Sequence, residues 1–139
     1  METGHKGFRL FELALIAAVL GSVGVTVIPQ FTQASNEDHI INMIGMLHQI
    51  RSQIDLYKAQ HNGMLPPADA AETFCKAMTK KGADGLGPYM EEFPTNPFNQ
   101  SGSIRISSEA DQGQGTHGWH YNSATGDFYA DDNKCHSQL

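Results

Sequence analysis

Seven histidines, fifteen carboxylates and two cysteines are the side chains of this chain that could do chemistry. The closest histidine pair, His117 and His120, lies in the run HGWH. On a strand, positions three apart point to opposite faces, which makes them a poor pair of metal ligands. His39, His48 and His61 are spaced by nine and thirteen residues along what reads as one helix, too far apart to share an ion without partners. The histidines therefore read as surface residues. Serine, histidine and aspartate are all present, but no nucleophile elbow, phosphate loop or paired-carboxylate motif brings them together, so the chain reads as a non-enzyme. Two cysteines, Cys75 and Cys135, cannot make a four-thiolate zinc site. Asn99-Gln100-Ser101 is a formal glycosylation sequon that marks an exposed turn. Asp127, Asp131 and Asp132 gather near the end, and their plain reading is a solvated acidic stretch.

One carboxylate stands apart. Glu12 sits just inside an apolar run, where ionised oxygen is costly. From Leu13 to Ser35 no residue is charged, and Leu10 to Ile28 spans about 28 Å as helix, close to the thickness of a bilayer core. The 139 residues amount to one ordinary domain, and the net charge of −6 with no strongly basic stretch disfavours a reader of nucleic acid. The N-terminus thus reads as membrane-inserting and the remainder as soluble. A secretory signal would take Lys6 and Arg9 as its basic end and cut near Gln33-Ala34-Ser35; a plain anchor would not be cut. Neither explains Glu12.

The string Lys6-Gly7-Phe8-Arg9-Leu10-Phe11-Glu12, followed by LALIAAVLG, resembles the class III signal of the type IV pilin and type II secretion pseudopilin superfamily. The resemblance implies a short leader, residues 1–7, removed by a prepilin peptidase between Gly7 and Phe8. It also implies methylation of the new Phe8 amine and a role for Glu12 in assembly. Pro29 stands where that family carries a helix proline, which predicts a kink, and Gly21 also matches. The stretch IRSQIDLYKAQHNGMLP, Ile50 to Pro66, is most like the end of the long helix in the G-type major pseudopilins. Those proteins often hold calcium in a C-terminal loop, which makes Asp127, Asp131 and Asp132 calcium candidates. The long loop rich in Gly and Asp is missing here, so the expectation is no cofactor and no metal.

Elements must position these residues. Ile40, Ile44, Leu47, Ile54 and Tyr57 recur at helical steps, Asn62-Gly63 supplies a left-handed stop and Pro66-Pro67 forbids continuation. These signals predict one long helix over residues 8–62, with about 8–31 in membrane or filament core, then a head over 63–139. In the head, Asp69-Ala70-Ala71-Glu72 has capping-box spacing and opens a short helix to about Lys81, with Phe74 and Met78 facing inward. Ile104 and Ile106, Trp119 and Tyr121, then Phe128 and Ala130 alternate as three strands, with a turn over Asn122–Asp127. The expected fold is α+β and pilin-like: a long N-terminal helix packed against a head with a short helix and a three-stranded antiparallel sheet.

Lys6 and Arg9 bias the N-terminus toward the cytoplasm, and with the resemblance this predicts a head across the bacterial inner membrane, in the periplasm, where disulfides persist. A Cys75–Cys135 bridge would then tie down the chain's end; two buried free thiols are the alternative. The function expected from the resemblance is a structural subunit of a helical filament, periplasmic or extracellular, of a type II secretion pseudopilus or type IV pilus. Its partners would be copies of itself, other pilin-like subunits, the prepilin peptidase, an inner-membrane assembly platform and the membrane, with no nucleic acid. A membrane-anchored extracytoplasmic binding or enzymatic domain with an uncleaved anchor is the other class.

Overall fold

The computed structural model describes residues 10–109 and 113–139, and for residues 10–13, 17 and 19–34 it describes the backbone alone. The fold is α+β. In chain order it holds helix α1 (Leu10–Gln60), helix α2 (Ala71–Thr79), strands β1 (Ile104–Ser107), β2 (Trp119–Asn122) and β3 (Phe128–Ala130), and a closing 3₁₀ turn (His136–Gln138). The chain forms two compact units, divided between Asp38 and His39.

In the second unit the helical steps of four and three explain what α1 buries. Met43, Leu47, Ile50 and Ile54 share one face and are at most 1% exposed, while Ile41 and Leu56 on other faces remain exposed. The helix stops as its sequence dictates. Asn62 and Gly63 take positive φ values of 56° and 82°, and the Gly63 amide donates to the Lys58 carbonyl at 2.7 Å.

Helix α2 adds Phe74 and Met78 to the core, both fully buried. Its capping differs from the sequence expectation. Ala70 occupies the cap position with no side-chain hydrogen bond, and the Asp69 carboxylate instead accepts from the Thr73 hydroxyl at 3.3 Å. The Phe74 ring stacks on Tyr121 at 4.2 Å, and Trp119 and Phe128 complete the aromatic centre. Each such ring, fully buried, contributes about 1.5–3 kcal/mol by removal from water.

The strands form where alternation placed them, but the sheet is mixed and not wholly antiparallel. β2 is central; it pairs antiparallel with β3 and parallel with β1, Ile104 lying opposite Trp119. The reason lies in the connection 108–118. It carries the chain back to the start of the sheet, where the Gly118 and Trp119 amides both donate to the Ser103 carbonyl at 3.1 and 3.0 Å. Alternation encodes which face a side chain takes and is silent on strand direction.

Candidate functional site

The residues that the sequence singled out for processing and assembly fall largely beyond what the structure describes. Gly7 and Phe8 lie outside the described residues, as does the leader 1–7. Glu12 and Pro29 lie on the backbone of α1, and their side chains are outside the described set. Among the described residues no helix is long and apolar enough to cross a membrane.

The three candidate calcium ligands do not converge. Asp131 is fully buried and pairs with Arg105, Nη2 to Oδ1 at 2.7 Å, and also accepts from the Gln114 amide at 3.1 Å and the Thr116 hydroxyl at 3.2 Å. Burial pushes its carboxyl up, but the Arg105 hydrogen bonds with those of Gln114 and Thr116 outweigh burial and hold it below the ordinary value. Asp132, one residue on, faces other partners: the Asn96 amide at 3.0 Å, the Asn133 amide at 2.8 Å and the His136 ring. Asp127 stays at the surface and accepts from the Thr125 hydroxyl at 2.6 Å. Among the described residues no group of three His, Cys, Asp or Glu side chains is placed to hold a metal ion. The Asp131 and Asp132 pairs instead bind β1, the 96–98 loop and the closing turn to one another.

The expected Cys75–Cys135 bridge is not formed; both thiols are free. Cys75 is half-buried on α2, whose backbone lies nearest β1, whereas Cys135 is exposed beside the closing turn, whose backbone lies nearest β3. Burial pushes the Cys75 thiol up, which suits an inert core thiol.

The histidines also divide in a way the sequence did not show. His120 is 1% exposed and is no surface residue: its Nε2 lies 2.9 Å from the Ser107 hydroxyl and its ring stacks on Tyr129. His117 stays partly exposed, 3.9 Å from Asp131, so the pair in HGWH shares no site.

His61 belongs to a cleft that sequence reasoning missed. The last turn of α1, the end of α2 and the loop 81–89 enclose about 190 Å³. Tyr57 and His61 stack at 3.8 Å on one wall, with Tyr89 tilted against them and its hydroxyl donating to Gln60 at 2.8 Å. His61 Nε2 lies 3.0 Å from the Asp84 carboxylate, which also accepts from the Leu86 amide. The Leu86 bond is the largest influence on Asp84, and with His61 it holds that carboxyl below its ordinary value. Lys76, Lys80 and Lys81 rim the opening. The only signal in sequence was the pair Lys80-Lys81 after a helix, which ordinary solvation also explains.

No protein-family model, no curated protein and no solved structure matches this chain.

Proposed function

We propose that this chain is a structural subunit of the type IV pilin and type II secretion pseudopilin kind, processed after Gly7 and polymerised through its N-terminal helix into a helical filament. The observation that carries this is the economy of α1. The helix runs 51 residues, yet the side chains it lends to the head core fall between Met43 and Tyr57. A head of this size does not require the preceding residues. They are uncharged from Leu13 to Ser35, and Leu15 and Ile16 are exposed at 55% and 46%. Such a surface is stable only in lipid or against other copies.

The sequence supplies the rest. Gly7, Phe8, Glu12 and Pro29 stand at the offsets of that family's processing and assembly signals. Once Phe8 is the first residue, its amine and the Glu12 carboxylate lie four positions apart on one helix face. In the membrane the two partly neutralise each other. During growth Glu12 of an incoming subunit pairs with the Phe8 amine of one already in place, and only that register avoids an unmatched charge in a medium of low dielectric. Pro29 removes one amide donor opposite the Val25 carbonyl, so α1, helical through this point, is proposed to kink in the membrane and to melt between Gly21 and Pro29 in the filament.

Terminal mass analysis of protein taken from its native host tests the proposal. Methylated Phe8 as the first residue is expected. Met1 or Ser35 at the terminus would overturn it in favour of an uncleaved anchor or an ordinary secretory signal.

A further inference from the structure

We infer that the end of the head where α2 gives way to the 89–92 segment is a self-complementary face that binds a second copy of this chain, Lys80 and Lys81 of each copy meeting Glu91 and Glu92 of the other. The backbone brings the four residues together. Tyr89 and Met90 both donate their amides to the Met78 carbonyl, at 2.9 and 3.1 Å. Lys80 and Lys81, two and three residues after Met78, and Glu91 and Glu92, directly after Met90, therefore lie on segments joined at one point. That point is rigid, since Met78, Tyr89 and Met90 are all buried.

The other charges at this end are already matched. Lys76 pairs with Glu72 at 2.8 Å, and Asp84 is held by His61 at 3.0 Å. Lys80, Lys81, Glu91 and Glu92 are all exposed, and among the described residues none of them has an ion-pair partner. Two lysines and two glutamates on segments joined at Met78, with no ion pair among the described residues, give this end of the head both signs. A two-fold operation lays each sign on its opposite, which is the arrangement an isologous contact needs. The cleft beside the lysines offers a seat of about 190 Å³, walled by Tyr57, His61 and Tyr89, in which the stem of an incoming glutamate can lie. The chain's net charge of −6 opposes unspecific self-association, so attraction must come from a local match of this kind.

Exposed ion pairs are individually weak, and four together make a contact that salt weakens. This contact is separate from the helix packing proposed above and needs no assembly machinery, so it can hold or fail independently of that proposal.

The test uses the full chain in detergent micelles, followed by sedimentation, with two variants: K80E/K81E, whose face is wholly acidic, and E91K/E92K, whose face is wholly basic. Wild type should self-associate, about tenfold less tightly when salt rises from about 50 to about 500 mM. Each variant alone should lose association by about tenfold or more, and an equimolar mixture of the two should regain at least the wild-type level. Carbodiimide coupling of mixed ¹⁴N and ¹⁵N wild-type chains should yield hybrid Lys80 or Lys81 to Glu91 or Glu92 links. A monomeric wild type, variants that associate as wild type does, a mixture that fails to associate, or links confined within one isotope would each overturn the inference.

Discussion

The Tyr121 hydroxyl is buried with no hydrogen-bond partner among the described residues. Its ring is needed, because it stacks on Phe74 at 4.2 Å, but its oxygen has left water without compensation. Tyr121→Phe should therefore leave stability unchanged or raise it by about 1 kcal/mol, in a denaturant melt at neutral pH. Burial, with a smaller contribution from Tyr57, pushes this hydroxyl up to about 12 from its ordinary value of 10.0. The unfolded chain thus loses the proton first as pH rises, and stability conferred by the neutral form falls between pH 10 and about 12. The phenylalanine variant should lack that part of the alkaline decline. Asp131 has the opposite sign. Its carboxyl is held below the ordinary range, so its contribution is present above about pH 4 and is lost as pH falls through the lower folded value. Asp131→Asn removes the charge from the buried carboxylate that accepts from Arg105, and should cost about 2 kcal/mol at pH 7 in a denaturant melt.

At the scale of elements, two contacts determine how the head closes. Gly118 lies where the chain re-enters the sheet, and a Cβ there would stand 1.9 Å from the Ser101 carbonyl oxygen. Neither backbone can give way without breaking the bonds to Ser103 that align β2 with β1, so Gly118→Ala should cost about 2 kcal/mol or more in thermal unfolding. Arg51 is the second contact. From α1 it donates through Nε to the Phe128 carbonyl at 2.9 Å and through Nη1 to the Leu139 carbonyl at 3.0 Å, with its guanidinium 6.0 Å from the Tyr129 ring centre. Arg51→Ala should cost about 2 kcal/mol and speed amide exchange in β3 and the closing turn more than in α2. The free thiols belong to this scale as well. Denatured, unreduced protein should take up two alkylating labels, one at Cys75 and one at Cys135; uptake of none would show a bridge.

For the whole molecule, the proposed filament makes Glu12 the residue whose loss separates folding from assembly. Glu12→Ala should leave the cut after Gly7 and the melting of the head unchanged while sheared filament disappears. Glu12→Val should behave alike even though it makes the helix more apolar, since the proposal depends on charge matching and not on hydrophobicity. Wild-type amounts of filament from either variant would show that no such pairing operates. The chain's acidity adds a constraint at this scale. Copies with a net charge of −6 repel at distance, so a contact between heads is favoured where opposite signs meet locally, as proposed for Lys80-Lys81 and Glu91-Glu92.

What the sequence determined by itself was local. The apolar steps through Leu47 and Ile54, the stop at Asn62-Gly63 and the alternation around Ile104, Trp119 and Phe128 each state a period or a backbone conformation that a few neighbouring residues impose. Those elements stand where the residues indicated, and Phe74 and Met78 face inward as their spacing required. The proposed processing and assembly roles of Gly7, Phe8, Glu12 and Pro29 rest on sequence alone, because they are read from fixed offsets and not from contacts. The tertiary structure decided everything that depends on which elements meet. It set β1 parallel to β2, because the long return 108–118 governs direction and alternation does not. It left both thiols free, Cys75 half-buried on α2 and Cys135 exposed beside the closing turn. It turned Asp131 toward Arg105 and Asp132 toward His136, although the two are consecutive. It also gathered His61, Asp84 and three lysines around one cleft from segments that no local pattern connects. Sequence separation hides such meetings, for a contact between distant segments is written in the packing of the core between them.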